Sequence, residues 1–205
     1  MHPNPAFRQE DHARHLDFAR ARAFGTLAVN AEPAPLLSHI PFLLDEGGLN
    51  ADLHLVRSNP IARIGETAAV ISVTGPDGYI SPDWYEVPDQ VPTWNYVAVH
   101  LRGRLTPLPV EQLRATIDAQ SAFFEERLLP KAPWTSGKMT PEVMNRMMRQ
   151  ILPFRLEIER VEGTWKLNQN KEDAVRMRAA DRVEDGVGSD LAELGRLMRG
   201  DPNSN

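Results

Sequence analysis

The stretch GLNADLHLVRSNP, residues 48–60, sets the period of the chain. Leu49, Ala51, Leu53 and Leu55 alternate with Asn50, Asp52 and His54, a spacing of two that suits a half-buried strand and not a helix. The strand ends in Arg57, Ser58 and Asn59, and Pro60 then leads into Ile61-Ala62-Arg63-Ile64, read as the start of a helix.

The same period extends outward on both sides. Upstream, Thr26–Asn30 and Leu36–Leu44 are short apolar stretches separated by the breaker run Ala31–Pro35. Downstream, Ala68–Thr74 is a run rich in Val and Ile, with Gly75-Pro76-Asp77-Gly78 expected to turn it back. Tyr96–Leu105 alternates again, and so do Phe154, Leu156 and Ile158 with Arg155, Glu157 and Glu159. That late strand must join the earlier sheet, because a lone strand cannot cover its own edges.

Helical spacing occurs in three places. The first helix is expected from an Asp11 cap, with Leu16 and Ala19 inward and Gly25 as its stop. After Pro109, Val110, Leu113, Ile117, Phe124 and Leu128 keep one face apolar, and Thr140-Pro141 opens a further helix carrying Val143, Met147 and Ile151 inward. The tail from Lys171 is charged and helical, with Asp190 and Glu193 as a capping box and Gly200 as a stop. Short strands, stiff turns (17 Pro against 13 Gly) and helices inserted late predict a β-barrel with α-helices, an α+β fold. One domain over residues 1–205 is expected, with a helical insertion at about 109–151 and a helical tail at about 171–200.

Composition narrows the chemistry. With no Cys, disulfides, thiolate nucleophiles, Fe–S clusters and zinc knuckles are all excluded. No apolar run reaches the length of a membrane span, and the polar start from Met1 to Arg14 is unlike a signal peptide, so a cytoplasmic protein is expected. The formal charge of −5 gives DNA no general electrostatic support. Dinucleotide, phosphate-loop, serine-hydrolase and zinc motifs are absent, and no metal site is expected; His12 and His15 are read as solvated.

Three clusters remain. His54, Arg57, Ser58 and Asn59 gather donors suited to an anion, competing with a plain Asn-Pro turn. The run YISPDWYEVPDQVPTWNY, residues 79–96, holds two Trp and three Tyr among prolines. Its rings can wall a flat ligand whose edge Asn95 would reach, or staple a loop to the barrel. WKLNQNK, residues 165–171, places Lys166, Asn168, Gln169 and Asn170 directly after a strand, as amides for a heterocycle or as a helix cap. His39 in LLSHIPF reads from spacing as a hydrogen-bonded structural residue.

MHPNPAFR, LSHIPFLL, LHLVRSNP, ISPDWY…VPTWNYVAVHLRG and FRLEIERVEGTWKLNQNK occur in order over nearly the whole chain. Together they resemble the PaiB-type FMN-binding negative transcriptional regulators, relatives of pyridoxamine-phosphate-oxidase-like split barrels. The resemblance implies a six-stranded FMN-binding split barrel with peripheral helices, and a homodimer holding FMN at its interface. By motif position it implies phosphate contacts around His54, Arg57, Ser58 and Asn59, and flavin-ring neighbours at Ser38, His39, Trp94 and Asn95. Lys166 and Gln169 would reach a site from the facing subunit. Asn168 stands where the family pattern has serine, and Pro153 where glycine is common, the latter expected to alter only a turn. The activity implied is that of an FMN-binding regulator. The alternatives are a flavin-dependent oxidoreductase of unknown substrate and a cofactor-free barrel serving as a binding dimer; direct DNA contact finds no support in the charge.

Overall fold

The computed structural model describes residues 1–200 and divides into two compact units. One comprises Ala23–Ser72 and Leu101–Arg160; the other comprises Met1–Arg22, Val73–His100 and the chain from Val161 onward.

The first unit holds a closed ring of six strands. Its members are β1 (Phe24–Val29), β2 (Leu36–Leu44), β3 (Asn50–Val56) and the matching parts of β4 (Thr67–Ile80), β5 (Thr93–Pro107) and β6 (Ile151–Lys166). The order is β1-β2-β3-β6-β5-β4, and β4 returns to pair with β1 through Ala69–Ser72. The late strand pairs as expected, β6 lying antiparallel to β3 with Leu53 opposite Phe154. Alternation places Ala51, Leu53 and Leu55 inside with Phe42, Ile71, Leu101, Phe154 and Leu156. Leu49 leaves this stripe and is 65% exposed. Asp45 draws the preceding turn together by accepting from Leu49 N at 2.8 Å and from Asn50 Nδ2 at 2.7 Å, so the strand begins one residue later.

Two helices belong to this unit, α2 (Leu113–Glu126) and α3 (Pro141–Met148). Val110 lies in a 3-10 turn ahead of α2 and Leu128 beyond its end, so both are exposed despite their spacing. The buried residues of α2 are Leu113, Thr116 and Gln120; in α3 the buried residue is Met144, while Met147 is exposed. Ile61–Ile64 gives only a 3-10 turn, Pro60–Arg63, capped by the Asn59 side chain.

The second unit continues β4, β5 and β6 and adds α1 (His12–Arg22), α4 (Asp173–Ala180), β7 (Gly188–Ser189) and α5 (Leu191–Arg199). Its core joins Ile80, Tyr85, Val97, Trp165, Val183 and Leu194, with Phe18 packed against them. The expected turn at Gly75–Gly78 is instead strand, part of β4. Glycine there makes room: a Cβ on Gly75 would lie 2.5 Å from Phe18, and one on Gly78 2.7 Å from Leu194. Pro76 falls between the end of the β1 pairing at Ser72 and the start of the β7 pairing at Asp77. Pro153 likewise lies within β6, opposite His54, and not in a turn.

The helix ends also shift. α1 stops at Arg22, and Gly25 belongs to β1, where a Cβ would stand 2.8 Å from Ser72 O. Asp190 precedes α5 with φ +52°, makes no side-chain cap and pairs with Arg22 at 3.3 Å, so no capping box forms. Gly200 ends α5 in the left-handed conformation, as expected. Among the described residues no helix is long and apolar enough to cross a membrane.

Candidate functional site

In the barrel unit, the turn after β3 is built by Asn59. Its Oδ1 accepts from Ile61 N at 3.0 Å, and its Nδ2 donates to Ser38 Oγ at 3.0 Å, tying the turn to β2. Beside it Arg57 and Ser58 are exposed. The Arg57 Nε donates to the Arg149 carbonyl at 3.0 Å, and its backbone N–H donates to Gln150 O at 2.7 Å. Among the described residues Arg57 has no carboxylate partner. The guanidinium is therefore oriented at Nε while its outer edge stays un-neutralised, the arrangement a phosphate accepts.

His54 does not join this turn in its bonding. Its Nδ1 lies 2.9 Å from Gln120 Oε1, and burial lowers its pKa below the usual histidine value, opposed by that hydrogen bond. Ser38 and His39, adjacent on β2, point to opposite faces of the strand. Ser38 turns to Asn59, whereas His39 Nδ1 meets Thr26 Oγ1 at 3.0 Å on the outer face. Thr26 lies opposite both His39 and Ser72, so the three form one polar row across β2, β1 and β4. Leu37, Ala28 and Val70 form the next row, and Leu37 is 64% exposed.

In the second unit, Trp94 is 46% exposed and meets the Tyr79 ring edge-on, the centroids 6.4 Å apart. Asn95 points the other way into the core, where its Nδ2 donates to Met198 Sδ at 3.4 Å and its Oδ1 has no partner. Its amide is thus not presented at the surface. Lys166 donates to Thr93 Oγ1, next to Trp94. Burial lowers the Lys166 pKa, and among the described residues the ammonium has no carboxylate partner. Gln169 is spent on backbone groups, accepting from Leu167 N at 2.8 Å and donating to Trp165 O and, in the N-terminal turn, to Ala6 O at 3.2 Å.

Spacing gave no hint of two further residues. Gln120, a polar residue on a helix read by its apolar stripe, is buried and holds His54. His15, expected in solvent, is buried, with its Nδ1 accepting from Trp165 Nε1 at 3.1 Å. Since indole only donates, this imidazole is neutral there, and burial, its largest influence, lowers its pKa.

Residues 1–160 match the sequence model of a family described as "Putative FMN-binding domain". The chain belongs to this PaiB-type FMN-binding family. Protease synthase and sporulation protein PAI 2 of Bacillus subtilis (strain 168) is 25% identical over 186 residues, covering 89% of this chain and 88% of its own. Among solved structures, the FAD and heme binding protein from Mycobacterium smegmatis matches with a TM-score of 0.56 at 17% identity, over 78% of this chain and 73% of its own. The flavocytochrome Anf3 from Azotobacter vinelandii matches with a TM-score of 0.52 at 13% identity, over 80% and 72%. At these identities the likeness is one of fold, and the expected split barrel with peripheral helices is the fold of this PaiB-type chain.

Proposed function

We propose that the protein binds FMN, with Arg57 and Ser58 of the barrel unit on the phosphate. The reading is carried by the Arg57 guanidinium, oriented through Nε and left without a carboxylate. The donor set suits the phosphate: an exposed fork and an exposed hydroxyl for a dianion. Bound FMN would supply one- or two-electron transfer. The chain's own part is to hold the phosphate. Ser38 and Asn59 support this by pinning the turn that carries Arg57.

The same reading makes the protein a homodimer with each flavin between protomers, where the outward row of Thr26, His39 and Ser72 would lie against the partner. It also makes the protein a cytoplasmic regulator acting through its flavin state. Direct contact with DNA is disfavoured because many surface arginines are already neutralised, among them Arg104 by Glu66, Arg114 by Asp118 and Arg155 by Asp52.

Titration of the purified protein with FMN, followed by flavin absorbance, tests the proposal. Arg57→Ala is expected to weaken binding by about 1–3 kcal/mol, the loss of a charge-assisted contact. No binding at micromolar FMN by the wild-type chain refutes the flavin reading. Unchanged affinity in Arg57→Ala refutes the phosphate assignment. Sedimentation with and without FMN tests the dimer.

A further inference from the structure

Within the barrel unit, a cavity of about 370 Å³ lies between the outer faces of β2, β3 and β6 and the helices α2 and α3. Phe124, Trp134, Met139, Met144 and Met147 form much of its wall, no charged residue lines it, and His54 enters it from β3. We propose that this cavity is a second binding site, for an uncharged small molecule with an apolar ring and one N–H or O–H donor, which the His54 Nε2 accepts.

The protonation of His54 follows from a chain of hydrogen bonds. Gln120 Nε2 lies 3.2 Å from the Asp52 backbone carbonyl, which can only accept, so the amide nitrogen of Gln120 must face it. Its oxygen then faces His54 Nδ1 at 2.9 Å, and since that oxygen can only accept, Nδ1 must carry the proton. A neutral ring protonated at Nδ1 keeps its lone pair on Nε2. The backbone of β3 thus sets the tautomer of a histidine on the same strand through a buried glutamine on α2.

A purely structural role would not call for this arrangement. Leucine at position 54 would suit the apolar wall, whereas here a buried polar side chain uses both ends of its amide to orient an imidazole. The lining selects the ligand class. A carboxylate would face a lone pair and no cation, and an ammonium would find no counter-charge, so an uncharged molecule fits best. Methionine thioethers adapt to irregular shapes, and the volume lies in the usual range for small-ligand sites, about 300–1,000 Å³. The site uses His54, which the family resemblance places near the phosphate, but neither Arg57 nor Ser58, and its test contains no flavin.

Indole and 1-methylindole, which lacks the N–H, are the probes, followed by NMR of the full chain labelled at its methionine methyls. Indole is expected to shift Met139, Met144, Met147 and Met148 and to leave Met1, Met177 and Met198 unmoved. It is also expected to bind about tenfold more tightly than 1-methylindole, the effect of one hydrogen bond to the His54 acceptor. In His54→Leu the two probes should bind equally. Met147→Trp, at an exposed position on the cavity wall, should abolish both sets of shifts. The nitrogen spectrum of His54 should show a proton on Nδ1 and none on Nε2. Pocket methyls unmoved at millimolar indole overturn the site. Equal affinity for the two probes in the wild-type chain, or a proton on Nε2, overturns the role of His54, whether or not the variants fold.

Discussion

Replacing Gly103 by alanine should do more damage than a single added methyl group suggests. Gly103 lies in β5 beside β6, within the Leu-Arg-Gly that closes one of the family motifs. A Cβ built there would stand 1.8 Å from the Glu157 carbonyl oxygen and 2.8 Å from its carbon. Cβ contacts essentially never fall below 3.0 Å, so the two strands must part locally by about 1.2 Å. The obstacle is backbone and cannot rotate away as a side-chain tip would. A parting of that size takes neighbouring N–H···O bonds out of range, at about 1 kcal/mol each, in addition to the 1–3 kcal/mol typical of overpacking. The combined loss of about 3 kcal/mol corresponds to a fall in Tm of roughly 6–12 °C for a chain of this length. Thermal unfolding followed by circular dichroism, with urea titration to confirm an unchanged m-value, measures it. A Tm within 2 °C of wild type would show that the strands accommodate the methyl and that the close approach does not require glycine.

Gly65 provides the contrast: nothing lies within 4 Å of its would-be Cβ, but φ is +81°. Gly65→Ala should cost only the left-handed backbone strain, about 1 kcal/mol, by the same urea titration. Trp165→Phe removes the donor to His15 and leaves a buried ring nitrogen unpaired, an expected loss of about 1–3 kcal/mol that His15→Phe in the same background should partly relieve. His15 and His54 both have pKa values lowered by burial, so the unfolded chain binds protons that the folded chain refuses. Stability should be full above the unfolded value of about 6.5 and fall as the pH drops through it, by at most about 1.4 kcal/mol per pH unit for each histidine, until the folded groups themselves titrate. Urea midpoints that stay flat from pH 7 to pH 5 would contradict this.

The strands were legible wherever alternation was unbroken. Leu53 and Leu55 in β3, and Val97 and Val99 in β5, could be assigned to the interior by period alone. Glycine is where local pattern and structure part most. Gly75 and Gly78 resemble a turn when read locally, yet their missing side chains are filled by Phe18 from α1 and Leu194 from α5, partners distant in sequence. The buried side of α2 is legible only in part for a related reason. Apolar spacing rightly marks Leu113, but Ile117 and Phe124 are only half-buried, while bonds from β3 hold Gln120 inward and Thr116 turns back to Gln112 O. At the candidate site, the Asn59 cap and the exposed Arg57 followed from an Asn-Pro sequence. The opposite directions of Ser38 and His39 follow from strand geometry once β2 is fixed. The inward turn of Asn95 does not, because Met198 lies 103 residues away.

The pairing of β3 with β6 has a consequence for synthesis on the ribosome. β2 and β3 can zip together as soon as residue 56 emerges, but the other edge of β3 must wait for residues 151–157. At about 5–20 residues per second, that leaves an apolar strand with an open edge for roughly 5–20 s on every nascent chain. An open edge is a template for any other strand nearby. Yield should therefore depend on chaperones that cover the edge until β6 arrives, and the more so the slower the synthesis, because slower synthesis lengthens the interval.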